Sequence, residues 1–162
     1  MNTSPFTMHS IEARDIGDVI RLADECDLSP WSSNDYLEEA KRSDSTLLRL
    51  EDENNCTVGF LVGRRVLSAS SKKQYDAEIY NIGVSKSLHR SGCGTMLLTN
   101  FLERCVVERV ESVWLDVRVS NKSAISFYQK FGFSEFMIRS RFYTGPLEDG
   151  MVMKLALSEK RY

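Results

Sequence analysis

The sequence predicts a mixed α/β class, α+β or α/β, and two observations carry that expectation. Residues 77–119 read as strand, Gly-rich turn, long amphipathic helix, strand. Two strands joined through a helix are expected to lie parallel, because only such a crossover returns the chain to the same sheet edge. On either side of this unit, strand-like runs are joined by short polar turns. Those are hairpin signals, so the sheet is expected to be mixed.

The elements follow in chain order. Residues 15–26 place Ile16, Val19, Ile20 and Ala23 at helical spacing, with Asp15 as the expected N-cap. Ser32 and Ser33, after Pro30 and Trp31, open a second helix expected to reach about Arg42. Three strand-like runs come next, at 46–50, Thr57–Leu67 and 77–84. Asn54-Asn55 supplies the first turn between them and a polar loop at 68–74 the second. Beyond Gly94, residues Leu97, Leu98, Phe101, Leu102, Cys105 and Val106 form the apolar face of the clearest amphipathic helix. Residues 113–119 alternate as a strand, with Val113, Leu115, Val117 and Val119 on one face and Trp114, Asp116 and Arg118 on the other. Asn121 can cap a short helix over 122–131 that Gly132 ends. Strands at Ser134–Tyr143 and 151–157 complete the order.

A chain of 162 residues fits one domain, residues 1–162, and is long enough to bury a core without staples. With 21 basic and 23 acidic residues it lacks the basic excess expected of a nucleic-acid-binding domain. Cys26, Cys56, Cys93 and Cys105 show no C-x-x-C spacing, and His9 and His89 are the only histidines, so no metal site is expected. Four reduced thiols, no signal-peptide pattern and no run long enough to span a membrane make a cytoplasmic protein without a membrane partner the expectation.

The segment His89-Arg90-Ser91-Gly92-Cys93-Gly94-Thr95 joins a strand to the long helix. A pyrophosphate needs several converging N–H donors. Gly92 and Gly94 remove side chains that would block its approach. The helix start supplies unpaired N–H groups and the positive end of its dipole, worth roughly 0.3–1 kcal/mol, up to ~2 when partly buried. Arg90 adds a charge that does not titrate. A Gly-x-Gly turn can equally be a plain connector. This one is neither the dinucleotide fingerprint, which needs glycine at Leu97, nor a Walker A loop, which needs Gly-Lys-Ser/Thr.

The stretch NIGVSKSLHRSGCGTMLL resembles the acetyl-CoA signature of the GNAT acetyltransferases, Gln/Arg-x-x-Gly-x-Gly/Ala, and VWLDVRVSNKSAISFYQKFGF resembles the second half of the same fold. Within that family the chain is most similar to the RimI branch, the ribosomal-protein-alanine N-acetyltransferases. The runs Pro30-Trp31-Ser32 and Arg141-Phe142-Tyr143 followed by Glu148-Asp149 also fit that branch. The resemblance implies a GNAT fold: a mixed, mostly antiparallel sheet splayed at the acetyl-CoA site, with helices on both faces. It implies acetyl-CoA as co-substrate and direct acetyl transfer to a primary amine. Ile82, Gly83 and Val84 would bind the pantetheine arm through their main chain. Arg90, Ser91, Gly92, Cys93, Gly94 and Thr95 would hold the pyrophosphate. Asn121 would touch the cofactor, and Tyr128 would protonate the leaving thiolate, with Phe127 and Phe131 anchoring its helix in the core.

Two departures from the family pattern stand out. His89 replaces Gln or Arg, which would alter a phosphate contact. Asp116 replaces the catalytic Glu of the RimI branch and is one methylene shorter. Glu78, in Ala-Glu-Ile-Tyr, resembles the general base of histone-acetylating relatives, so Asp116 and Glu78 are both candidates. Either carboxylate alone also reads as a solvated strand residue. A Cys93–His89 nucleophile is disfavoured because Cys93 occupies the variable position of the turn. Trp31 and Trp114 read as core or groove walls, and Cys105 as core. The resemblance to RimI points to a protein N-terminal α-amine, such as that of a ribosomal protein, as acceptor. A small amine (polyamine, amino acid or drug) is the alternative, and a non-catalytic acyl-CoA-binding module is the alternative of another class.

Overall fold

In a computed structural model, residues 4–157 are described. The elements are β1 (Thr7–Ser10), α1 (Ile16–Glu25), α2 (Ser33–Ala40), β2 (Ser45–Glu51), β3 (Thr57–Leu67), β4 (Tyr75–Val84), α3 (Cys93–Val107), β5 (Ser112–Arg118), α4 (Lys122–Lys130), β6 (Ser134–Tyr143) and β7 (Glu148–Ala156). The strands form a seven-stranded sheet in the order β1-β2-β3-β4-β5-β7-β6. β4 and β5 pair in parallel, as the crossover requires, whereas β1–β2, β2–β3, β5–β7 and β6–β7 are antiparallel. The parallel ladder joins Ala77 to Val113, Glu78 to Trp114 and Ile79 to Leu115, and β4 runs on past it to Val84.

The chain divides into two compact units, Met1–Arg64 with Tyr80–Cys105 and Arg65–Ile79 with Val106–Tyr162. In the first unit, Ile16, Val19, Leu22 and Ala23 of α1 bury against Tyr36 of α2 and Leu47, Phe60 and Val62 of the sheet. α2 starts as Ser32 predicts: its Oγ accepts from Asp35 N at 3.2 Å, and the Asp35 carboxylate accepts from Ser32 N at 2.6 Å. Asp15 departs from expectation. It stands at the start of α1 but makes no side-chain cap. Its carboxylate instead accepts from Glu12 N at 2.8 Å and pairs with the buried Arg49 guanidinium at 3.1 Å. Arg49 also pairs with Glu51 at 2.5 Å, so Asp15 is one of two carboxylates that compensate this buried charge.

α3 begins at Cys93, inside the Gly-rich turn, so Gly94 lies in its first turn. Cys93, Leu97, Leu98, Phe101 and Cys105 are its buried face, which confirms Cys105 as core. Burial of each large apolar side chain contributes ~1.5–3 kcal/mol, more than the helix dipole can. Packing therefore fixes this helix from its first residue, Cys93, onward.

In the second unit, Val113, Leu115 and Val117 of β5 bury with Met153 and Leu155 of β7. Ile125 and Tyr128 are the buried residues of α4. This corrects the assignment of Phe127 and Phe131 as its core anchors: both are half-buried, whereas Tyr128 is 7% exposed and packs on Phe133 with centroids 5.8 Å apart. The edge strand β6 is exposed at every position before Tyr143 and carries two irregularities in its pairing with β7, after Glu135 and after Arg139. Bulges and the charges of Glu135, Arg139 and Arg141 are the devices that keep such an edge from pairing with other chains.

Candidate active site

The residues expected to carry chemistry fall into two constellations, one in each unit. The first is the end of β4 with the turn that follows it. Gly83 is packed so closely that a Cβ there would lie 2.9 Å from the Phe60 ring and 3.3 Å from Cys26 Sγ. A glycine therefore lets the strand lie flat against the α1 side of the core. The Val84 carbonyl accepts from Cys26 Sγ at 3.3 Å and from His89 Nε2 at 2.9 Å. A carbonyl cannot donate, so His89 carries its proton on Nε2. His89 thus does not stand free for a phosphate; it ties the Gly-rich turn back to the end of β4. Glu25 braces the same corner, accepting from Lys86 N at 2.7 Å and from Ser85 Oγ at 3.3 Å.

In the turn itself Arg90 has φ +65° and Gly92 φ +89°. Left-handed backbone at an arginine is strained, and such strain persists where the surroundings impose it. Beyond Gly92 the chain enters α3, whose first main-chain bond runs from Met96 N to Gly92 O at 2.9 Å. The N–H groups of Cys93, Gly94 and Thr95 precede that bond and have no partner within the helix. Ser91 Oγ turns inward to the Leu88 carbonyl and Cys93 Sγ, and Ser91 N donates to the same carbonyl at 3.2 Å. Cys93 is 1% exposed, which removes it as a nucleophile.

The second constellation lies on one face of the sheet. Glu78 sits opposite Trp114 in the parallel ladder, and Asp116 is two residues further along β5 on the same face. Trp114 is fixed there by its Nε1–H to Asp76 at 3.1 Å, an edge-on contact with Phe136 at 4.9 Å and Lys154 over its ring at 4.9 Å. It is half-buried. Asp116 pairs with Arg139 at 3.5 Å. Desolvation nevertheless raises its pKa above the usual value of 3.8, with the Glu78 charge adding and Arg139 opposing. The Glu78 charge thus reaches Asp116, the other carboxylate left as an alternative by the sequence.

Tyr128 and Tyr143 complete this face of the chemistry. Burial pushes the Tyr128 hydroxyl well above its ordinary value of 10.0, and Tyr143 adds to the shift. Tyr143 is pushed up to about 12 by burial and by Asp116. Its ring rests on Arg118, whose guanidinium lies 4.5 Å from the centroid. Arg118 in turn donates to the Pro146 carbonyl at 3.0 Å and pairs with Glu148 at 3.3 Å. Asn121 caps α4, its Oδ1 accepting from Ala124 N at 3.1 Å. No group of three or more His, Cys, Asp and Glu residues able to hold a metal occurs among the described residues. None of the described helices is long and apolar enough to cross a membrane.

The acetyltransferase (GNAT) family model matches residues 16–133. The chain belongs to that family. It is 28% identical over 155 residues to the [Ribosomal protein bS18]-alanine N-acetyltransferase of Escherichia coli K12, covering 94% of this chain and 98% of that one. It is 30% identical over 146 residues to the protein of the same name from Haemophilus influenzae, covering 88% and 93%. The crystal structure of the Escherichia coli ribosomal-protein-S18-alanine N-acetyltransferase superposes with a TM-score of 0.80 at 27% identity, covering 94% of both chains. The fold is the GNAT fold, and the chain is an acetyl-CoA-dependent N-acetyltransferase with acetyl-CoA as its co-substrate.

Proposed function

We propose that residues 1–162 work as one acetyltransferase domain that transfers acetyl to the N-terminal α-amine of a protein, a ribosomal protein being the leading candidate. The observation that carries this reading is similarity over nearly the whole length to proteins named [Ribosomal protein bS18]-alanine N-acetyltransferase. Beside α2, an open depression of about 650 Å³ is walled by Trp31, Asp35, Glu39, Arg42 and Arg64, with Trp31 5.9 Å from Tyr80. An open, charge-lined depression suits a polypeptide acceptor better than a small amine, which is usually enclosed.

In this reading the main chain of Ile82, Gly83 and Val84 binds the pantetheine arm. The turn from Arg90 through Thr95 binds the pyrophosphate, and Asn121 orients the helix that carries Tyr128. The neutral amine attacks the thioester carbon, forming the C–N bond. The C–S bond then breaks, and the thiolate takes a proton from Tyr128. The proton lost by the amine passes to Asp116 or Glu78, directly or through water. An α-amine has pKa ~7.7–8.0, so about a tenth is already neutral at pH 7, whereas a lysine amine near 10.4 is almost wholly charged. The gap of roughly 2.5 pKa units corresponds to about 3.5 kcal/mol. The short side chain of Asp116 is therefore tolerable for an α-amine and limiting for lysine.

Two experiments test this reading. Acetyl-CoA at about 100 times its Kd should stabilise the fold by ~2.7 kcal/mol, raising Tm by roughly 5–10 °C. Gly94→Asp should abolish that rise by setting a carboxylate where the pyrophosphate binds; an unmoved wild-type melting curve would refute the cofactor assignment. Mass spectrometry of protein N-termini from cells with and without the enzyme should show specific α-acetylation lost with the gene. Loss confined to acetylated small amines would assign the alternative acceptor class.

A further inference from the structure

One side chain of the cofactor strand has no role in the reading above. Asn81 immediately precedes Ile82, Gly83 and Val84 in the run Ala-Glu-Ile-Tyr-Asn-Ile-Gly-Val. Asparagine is a poor strand former, and a buried amide needs hydrogen-bond partners to offset its lost water. Asn81 is only 5% exposed. Its Nδ2 is buried and has no hydrogen-bond partner within the protein. Such a donor has given up water and received nothing in return, which is a standing cost to the unliganded fold. Leucine has nearly the same shape and would carry no such cost. The polar atoms at this position therefore serve something other than packing.

We infer that the Asn81 side-chain amide is part of the acetyl-CoA site, donating to a carbonyl oxygen of the acyl-pantetheine arm. This rests on the reading of β4 as the cofactor strand. That arm is a chain of amide and thioester carbonyls, each an acceptor without a proton of its own, which matches the chemistry of an idle N–H donor. Just beyond, Ser85 N donates to Val58 O at 2.8 Å and the Val84 carbonyl is occupied by Cys26 and His89. The Asn81 Nδ2 is the buried side-chain donor of this strand left without a partner, beside the main chain already assigned to the arm. Its donor gains its first partner when the cofactor arrives, so the bond adds to affinity and to nothing else.

That separation of binding from stability makes the test sharp. Asn81→Leu keeps the shape and removes both polar atoms; Asn81→Asp keeps the size and removes the donor. Thermal melts of the unliganded proteins are read beside calorimetric titrations with two ligands, acetyl-CoA and phosphoadenosine diphosphate, the fragment that ends at the pyrophosphate. The Leu variant is expected to melt at or above the wild-type temperature. Its acetyl-CoA affinity is expected to fall roughly 5–20-fold, with the fragment's affinity unchanged within about twofold. The Asp variant should lose acetyl-CoA affinity in the same direction. Unchanged acetyl-CoA affinity in the Leu variant would mean that water or nothing meets the amide, and overturns the inference. Equal losses for both ligands, or a lower melting temperature in the unliganded Leu variant, also overturn it, because both mark a structural role. A wild type that binds neither ligand overturns the cofactor reading itself, and a wild type that binds both beside an indistinguishable Leu variant overturns this inference alone.

Discussion

Tyr128→Phe is expected to lower kcat by on the order of 10²–10³-fold while leaving the fold and acetyl-CoA affinity intact. Tyr128 lies seven residues after Asn121, the residue that caps the start of α4. The ring is held from two sides, by Phe133 at 5.8 Å and Phe127 at 5.4 Å, and a phenylalanine would keep both contacts. The hydroxyl is the only group lost. Its raised pKa keeps it protonated throughout the working range, as a proton donor must be. The same burial makes it a weak acid against a thiolate of ordinary pKa ~8.5. A thiolate leaving into a desolvated site is raised as well, which brings the two closer. The benefit then lies in a hydrogen bond that strengthens as sulfur charge develops, which is a transition-state effect and appears in kcat. Were Tyr128 merely a packing residue, the Phe variant would be nearly silent. Steady-state kinetics beside calorimetric acetyl-CoA affinity separates the two, and unchanged kcat with unchanged affinity removes Tyr128 from the mechanism.

The order of elements was legible because each carries a local signal. Ser32 and Asn121 cap the helices they were expected to cap, and β3 and β6 occupy the expected residues. The parallel pairing of β4 with β5 follows from the helix between them. β1 gave no signal: Thr7–Ser10 is four residues, mostly polar and exposed, and exists only because β2 offers it an edge. The Asp15 cap failed for the opposite reason. Its local pattern was sound, but a buried arginine 34 positions away in the chain competes for the same carboxylate, and local periodicity cannot report that.

The site was legible where chemistry imposes residue types at fixed spacing, as in the Gly-rich turn. It was illegible where tertiary packing assigns the role. His89 read as an altered phosphate contact, but it spans five residues back to the Val84 carbonyl. Tyr143 read as the end of a strand and as part of the Arg141-Phe142-Tyr143 run, with no chemical role. The irregular pairing between Arg139 and Tyr143 and the Arg118 clamp bring it within electrostatic reach of Asp116, and neither is written in a periodicity. The inversion within α4 has a similar origin. Phe127 and Phe131 are the more apolar residues, yet Tyr128 is the one on the buried stripe with Ile125, at i and i+3.

Asp116→Asn and Glu78→Gln should separate the general base from its neighbour. Losing the base is expected to lower kcat by roughly 10–100-fold, and losing the other carboxylate by less. The pH profile identifies which is which. A base works deprotonated, so kcat/KM falls as pH drops through its pKa. Desolvation places the Asp116 value above the ordinary 3.8, so an acidic limb it controls should lie above that pH. Arg139→Ala removes the opposing charge and should move the limb upward; Glu78→Gln removes a like charge and should move it downward. Asp116→Asn should abolish it, leaving only the limb set by the acceptor amine near pH ~7.7–8.0. Stability runs the other way. A carboxyl whose folded pKa is raised binds its proton more tightly when folded, so the fold is favoured at low pH and loses that contribution as pH rises through the unfolded and then the folded value. At pH 7 the Asn variant should therefore melt slightly above wild type. The rise is small because the Asp116 side chain is 33% exposed and solvent screens it. Because the Glu78 charge acts on Asp116, the double variant should lose less than the product of the single losses. Near wild-type rates in both single variants and the double would show that neither carboxylate acts, and that water and the amine's own pKa suffice.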